Sequence, residues 1–257
     1  MKKLLIVLAL LLLIIGCTSK EVNDNPILQE LLVKDQIIIG VSPDYEPMEF
    51  LDTSGNIVGF DIDLMEALIV IINEDNNLNL KLTWKSMDFD TIIGALQTKQ
   101  IDIGVSGFTY DADRDVFFSV PYMYSQEVAV VAIDSNITSV ADLNGKKVGA
   151  QSGTTGEEAA NSIANAKVVS LTDAQQLFAQ LQTKAIDAVI IDKPVADNFV
   201  KNSSGYTILS EALIDENTSI IIDKANVNIQ KMIDAAITKF IATKEYQALL
   251  EKWDIAQ

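Results

Sequence analysis

The sequence of 257 residues contains no histidine, a single cysteine at position 17 and a single arginine at position 114. Without His and without a second thiol, Ser–His–Asp triads, Cys–His nucleophiles and His/Cys zinc sites are excluded. Any chemistry must come from carboxylates, lysines, hydroxyls and backbone. Positive charge is scarce as well: 19 Lys and Arg stand against 36 Asp and Glu, a formal net charge of −17. Such a surface argues against nucleic acid or an anionic membrane face as partner. Nothing in the sequence asks for a metal or a cofactor. The length suits one large domain or two of ordinary size, with enough apolar material for a sizeable core.

Met1-Lys2-Lys3 precedes an unbroken apolar run, Leu4 to Ile15, and then Gly16-Cys17. A basic start followed by a run too short for a comfortable membrane span reads as an export signal. Ile14-Ile15-Gly16-Cys17 resembles the bacterial lipobox, with Ile14 where Leu is usual. The resemblance implies cleavage before Cys17, lipid attachment to its sulfur and anchoring at the outer face of a membrane. Residues 18–26 are polar and turn-rich and read as a tether.

Beyond the leader, β-rich apolar runs alternate with helix-period runs. Strands are expected at Gln36–Val41, Leu80–Trp84, Ile101–Val105, Glu127–Ile133, Lys147–Ala150, Lys167–Ser170 and Ile186–Ile191. Helices are expected at Asp61–Ile72, Asp88–Lys99, Asp173–Thr183, Val227–Thr243 and Glu245–Trp253. The alternation argues an α/β fold with mostly parallel sheets. The segment Leu96-Gln97-Thr98-Lys99-Gln100-Ile101-Asp102 recurs as Leu181-Gln182-Thr183-Lys184-Ala185-Ile186-Asp187. Either two lobes share one βαβ plan, or helix–turn–strand junctions share a composition. On the first reading Ser106-Gly107 falls opposite Ile191-Asp192, and two strand ends face one cleft.

Four segments carry candidate chemistry. Gln151 to Glu158 (QSGTTGEE) follows a strand and opens a helix near Thr155; it suits an anion held on free N–H groups, or a Thr155-x-x-Glu158 capping box with no ligand. Arg114 follows the strand end at Ser106–Thr109, and its planar fork can grip a carboxylate as Lys cannot, although Asp111, Asp113 and Asp115 are alternative partners. Asp192 closes an apolar strand, either as a turn residue or as an ammonium acceptor. Tyr45 and Phe89 can wall an apolar slot or simply belong to the core.

Together these segments resemble the bacterial extracellular solute-binding proteins of family 3, receptors of amino-acid ABC importers. Gly59-Phe60-Asp61-Ile62-Asp63-Leu64 matches the signature segment. Tyr45, Asp88-Phe89-Asp90, Ser106-Gly107, Arg114, Pro121-Tyr122, Gly153-Thr154-Thr155 and Asp192 fall in family order. The resemblance implies a two-lobed periplasmic-binding-protein fold (type II), its lobes joined by two crossing strands. Residues 1–16 would be the signal, 17–32 the lipid site and tether, 33–125 and 222–257 lobe one, and 126–221 lobe two. Carried over by position, Arg114, with Thr109 and the Thr154-Thr155 turn, would hold a ligand carboxylate. Asp192, Gly107 and Thr109 would hold its ammonium, and Tyr45 and Phe89 its stem. Ser42 stands where cation-selective members often carry Asp, and Gln151 where side-chain recognition is tuned. Asp44, Glu49 and Glu127 would add negative charge. The implied protein is a monomeric, lipid-anchored extracytoplasmic receptor for a polar, uncharged or cationic L-amino acid, working with ABC transporter membrane subunits. The rival is an enzyme resembling cyclohexadienyl dehydratases, which would want an acid about where Val195 stands; a ligand-sensing module is a third reading.

Overall fold

The computed structural model describes residues 35–256. The leader, Cys17 and the tether lie outside the described residues. In chain order the structure runs β1 (Gln36–Val41), a small antiparallel sheet of β2 (Asp44–Tyr45), β3 (Glu49–Leu51) and β4 (Ile57–Val58), and helix α1 (Phe60–Asn76). It continues through β5 (Lys81–Ser86), a 3-10 turn at Phe89–Thr91, α2 (Ile92–Gln97), β6 (Ile103–Gly104) and β7 (Phe117–Phe118). The chain then crosses on β8 (Met123–Ala132) to β9 (Lys147–Gln151), α3 (Thr155–Ser162), β10 (Lys167–Leu171), α4 (Ala174–Gln182), β11 (Ala188–Asp192), α5 (Lys193–Asn202) and β12 (Tyr206–Ile208). It returns on β13 (Ile214–Thr218) to β14 (Ile221–Ile222), α6 (Val227–Phe240) and α7 (Lys244–Lys252).

Two large sheets result, one per lobe. The first has strand order β5-β1-β6-β14-β7; the second has β10-β9-β11-β8-β12, with β13 paired to β8. β5, β1 and β6 are parallel, as are β10, β9 and β11, because a helix covers each crossover. The crossing strand β8 and the return strand β14 run antiparallel to their neighbours. The central strands β1 and β11 read as near-continuous apolar runs, as strands covered on both faces should, while the edge strand β5 alternates. Every residue of β11 is buried. On α1, Phe60, Leu64, Met65, Leu68 and Ile72 are buried at helical spacing, and Asn77 ends the helix in the left-handed conformation.

Most expected elements appear within two residues, but α1 runs on to Asn76, β8 begins already at Met123, and α6 stops at Phe240. The expected helix Asp88–Lys99 instead begins as a 3-10 turn and is α-helical over Ile92–Gln97. The strand expected at Ile101–Val105 shrinks to Ile103–Gly104, although Asp102 N and Val105 N still bond Ile38 O at 2.8 Å and Gly40 O at 3.0 Å. Helix α5 was not expected. Asp192-Lys193-Pro194 reads as a turn in sequence, but Pro194 sits in the first helical turn, where its missing N–H costs nothing. No helix of the described residues is long and apolar enough to cross a membrane.

Candidate functional site

The carboxyl ends of the strands meet between the lobes, where a cavity of about 10 Å³ remains, room for about one water. An amino acid therefore enters only if the lobes part. Tyr45, Phe89, Gly107, Thr109 and Arg114 line it from the first lobe; Gln151, Thr154, Thr155 and Asp192 line it from the second. Nine of the ten candidate residues thus share one wall. Ser42 is the exception: it lies beneath, its hydroxyl donating to Asp44 Oδ1 at 2.8 Å and its N–H to Ser106 Oγ at 3.1 Å. It orients Asp44, which does line the cavity.

Arg114 does two things at once. Its Nε lies 3.5 Å from Asp111 Oδ2, the ion pair weighed as its alternative role. Its Nη1 and Nη2 donate to Thr109 O at 3.3 Å and, across the cleft, to Gly153 O at 3.0 Å. The guanidinium lies 5.7 Å and 5.5 Å from the Phe89 and Phe108 ring centres, and those rings stack at 4.6 Å. Burial lowers its pKa, yet a guanidinium stays charged at any physiological pH. Two donors now resting on backbone carbonyls can turn to a carboxylate.

Asp192 is buried, not exposed at a turn. Tyr45 Oη donates to its Oδ2 at 2.9 Å and Ser125 Oγ to its Oδ1 at 2.8 Å. Burial raises its pKa, and those two hydrogen bonds oppose the rise. Burial, then the Asp192 charge, hold the Tyr45 phenol well above its ordinary value. Gly107 faces this pair with φ +62°, a conformation that favours glycine; a Cβ there would stand 3.8 Å from the Tyr45 ring.

The α3 start differs from expectation by one residue. Thr154, not Thr155, is the N-cap, accepting from Glu157 N at 3.1 Å, and Glu157 Oε2 accepts from Gly153 N at 2.8 Å. The Thr154 hydroxyl also donates to Gln151 O at 2.8 Å, so its side chain is spent on the turn. Thr155 Oγ1 donates to Glu127 Oε1 at 3.4 Å.

Gln151 Nε2 donates to Asp44 Oδ2 and to Thr172 O, both at 3.0 Å. Both partners are acceptors, which fixes the amide orientation and uses both of its N–H groups. Only the Gln151 carbonyl oxygen is left to meet a ligand. Asp44 Oδ2 also accepts from Ala174 N at 2.7 Å, and burial pushes the Asp44 pKa up to about 6. Beside it, burial and then the neighbouring Asp61 hold Glu49 well above the carboxylate range, while Ser106 Oγ donates to its Oε1 at 2.7 Å. Asp61, below the wall, accepts from Tyr122 Oη at 2.9 Å, and burial lifts it to about 7.

Sequence reasoning missed Glu216 and Ser125. Register sets them opposite one another on β13 and β8. The strand alternation buries Ser125, Glu127, Glu216 and Thr218, and turns Tyr124, Asp215 and Asn217 outward. A groove of about 630 Å³, larger than the cleft, is lined by Ser125 and Glu216 together with Tyr124, Asp215, Lys193 and Asp197, the last two paired with each other.

Two α/β lobes, two crossing strands and a cleft offering one buried cation opposite several carboxylates define a two-lobed solute-binding protein. The chain belongs to the bacterial extracellular solute-binding proteins, family 3, whose model matches residues 37–256. It is 30% identical over 227 residues to the arginine-binding extracellular protein ArtP of Bacillus subtilis, covering 86% of each chain. Its structure is similar to that of holo ArgBP from T. maritima, with TM-score 0.76, 33% identity and coverage of 88% of this chain and 99% of that one. It is also similar to the ancestral amino acid-binding protein AncCDT-1, a precursor of cyclohexadienyl dehydratase, with TM-score 0.79, 31% identity and coverage of 88% and 99%. The family is extracellular, and the chain is an amino-acid-binding receptor of an ABC importer.

Proposed function

We propose that the ligand is a cationic L-amino acid, with arginine, the ligand named for two of these similar proteins, as first candidate. The observation that carries this is Gln151: with both N–H groups spent on Asp44 and Thr172, it meets a ligand side chain only as an acceptor. Asp44 and Glu49 beside it add acceptors, and Arg114 is the one basic residue in the wall. Arg114 takes the ligand carboxylate, Asp192 its ammonium, and Tyr45 and Phe89 its stem. Lobe one is taken as 33–125 with 222–257, lobe two as 126–221, and Cys17 as the lipid attachment site. A thermal-shift panel of the common amino acids tests the ligand class: arginine, lysine or histidine should raise Tm most, and a ligand at 100 times its Kd adds about 2.7 kcal/mol. Glutamate raising Tm most would sink it. For the anchor, Cys17→Ser should release the protein from membranes; correctly trimmed, still membrane-bound mutant protein would contradict it.

One observation favours a second reading. Neither Val195 nor Glu216 lines the cavity, but Glu216 puts a buried carboxyl within 4.8 Å of Asp192 and Glu127, which do. A dehydratase needs such an acid. Turnover of prephenate, lost in Glu216→Gln, would establish the enzyme; no turnover leaves the receptor.

A further inference from the structure

The clamp of Arg114 and Asp192 leaves two carboxylates unused: Glu127, which lines the cleft, and Glu216 behind it, which lines the groove on the other side. Glu127 and Glu216 come from the two crossing strands, and one oxygen from each of Glu127, Asp192 and Glu216 lies within 4.8 Å of the others. All three are buried. Both Asp192 oxygens are engaged, by Tyr45 and Ser125. Among the described residues Glu127 Oε2 has no hydrogen-bond partner, and the Thr109 and Thr155 hydroxyls and Asp192 stand near enough to bear on the Glu216 carboxyl. The groups that bear on Glu216 are Asp192 at the end of β11, Glu127 on β8, the Thr155 hydroxyl at the start of α3, and Thr109 and Arg114 from the segment after β6, while Lys193 and Asp197 of α5 and Asp215 of β13 share its groove; Tyr45 joins through Asp192. Arg114 is the only basic residue lining the cavity, and its N–H groups point to Asp111, Thr109 O and Gly153 O.

Three carboxylates so close, away from water, cannot all be ionised without a counter-charge. The nearest source is a proton, and the next is the cation the cleft is built to receive. We infer that Glu216, behind Asp192 and Glu127, gives up a proton when the ligand's ammonium group settles against those two carboxylates. This rests on the amino-acid receptor reading above. The exchange balances simply: the Glu216 carboxylic acid and R–NH3⁺ become a carboxylate and R–NH3⁺, only the O–H bond breaks, and one proton leaves to solvent. Burial and then the Asp192 charge push Glu216 up to about 8, and Glu127 moves the same way, in keeping with a neutral acid at pH 7. Ligand capture then acidifies the medium, and affinity falls as pH falls below about 8, approaching tenfold per pH unit.

Calorimetry with L-arginine at pH 7, in phosphate and in Tris, reads the protons exchanged from the difference between the observed enthalpies. About one proton released per ligand is expected, with affinity dropping roughly tenfold from pH 7 to pH 6. Glu216→Gln keeps the shape and removes the titration; it should still bind, release almost no proton and show nearly flat affinity from pH 7 to 8, below which Asp44 titrates. Carboxyl ¹³C NMR of the protein without amino acid supplies a reading independent of binding: one Glu should titrate near pH 8 and vanish in Glu216→Gln. Binding heat without proton exchange, release that survives Glu216→Gln, or a Glu216 carboxyl titrating below pH 5 overturns the exchange alone. No binding heat with any amino acid overturns the receptor reading, and the exchange with it.

Discussion

Helices α2 and α4 end in the same way. Lys99 and Lys184 turn left-handed at φ 58° and 57°, and Gln100 N and Ala185 N bond Ala95 O and Gln180 O, each at 2.9 Å. Asp102 and Asp187 then accept the N–H of Ile38 and of Lys147, each at 2.8 Å. One turn deeper, Gly40 and Gly149 let Ile101 and Ile186 come so close that a Cβ would meet their Cδ1 atoms at 2.5 Å and 2.6 Å. The recurring segment is therefore a structural repeat, and the alternative of shared composition falls away. Four residues past the repeat the lobes part company: the segment just after β6 is Ser106-Gly107, while β11 ends on Ile191-Asp192. The shared half places two strand ends; the unshared residues decide that one offers a backbone carbonyl and the other a buried carboxylate.

Substitutions at the strand ends should cost binding, and substitutions in the shared turns should cost stability. The largest expected effect is at the clamp. Arg114→Ala should weaken binding of the best ligand by about 4 kcal/mol and Arg114→Lys by about 2, with Asp192→Asn between them, the range for stripping one partner from a desolvated charge pair. Calorimetry checks this; a Lys variant binding as tightly as wild type would return Arg114 to being the partner of Asp111.

Next comes pH. Asp44, Asp61 and Glu216 titrate at about 6, 7 and 8 in the folded protein, above their ordinary values. The folded state therefore binds more protons than the unfolded one between about pH 4 and 8, so stability falls as pH rises through that window. Melting without ligand should show a lower Tm at pH 8 than at pH 5, by several degrees. A Tm that rises over that span would mean these carboxyls ionise normally.

The scaffold itself should break symmetrically. Gly40→Ala and Gly149→Ala should each destabilise by about 1–2 kcal/mol in denaturant melts, since Ile101 or Ile186 must move. Unequal costs would show that the two cores yield differently. The smallest effect is a gain. Lys99→Gly and Lys184→Gly relieve a left-handed non-glycine residue and should add a few tenths to about 1 kcal/mol, less at Lys184, which also gives up its exposed ion pair with Asp134 at 2.9 Å.

The repeat, β1 and both closing helices could be read from sequence because their signals are local: periodicity, turn residues, a carboxylate before a helix. Nine of the ten candidate residues line the one cavity, because strand ends can be placed from sequence. What stayed hidden depends on register across the sheet. Glu216 lies in Ile-Asp-Glu-Asn-Thr, which reads as a polar loop; it is buried only because β13 lies along β8. Ser42 looked like a ligand contact because position along the chain does not say which side of Asp44 faces the cleft. The one-residue slip of the capping box has the same cause, two adjacent threonines with equivalent local chemistry.

Asp44 has one further consequence. Helix α4 has its own cap in Asp173, which takes the N–H groups of Gln175 and Gln176, but the Ala174 N–H is bonded by Asp44 from the other lobe. The first amide of a lobe-two helix is thus protected by a side chain that departs whenever the cleft opens. Hydrogen exchange at Ala174 becomes a clock for opening: its rate should fall on ligand addition by the factor by which the ligand suppresses the open form, while Gln175 and Gln176, capped from within, keep their own pace.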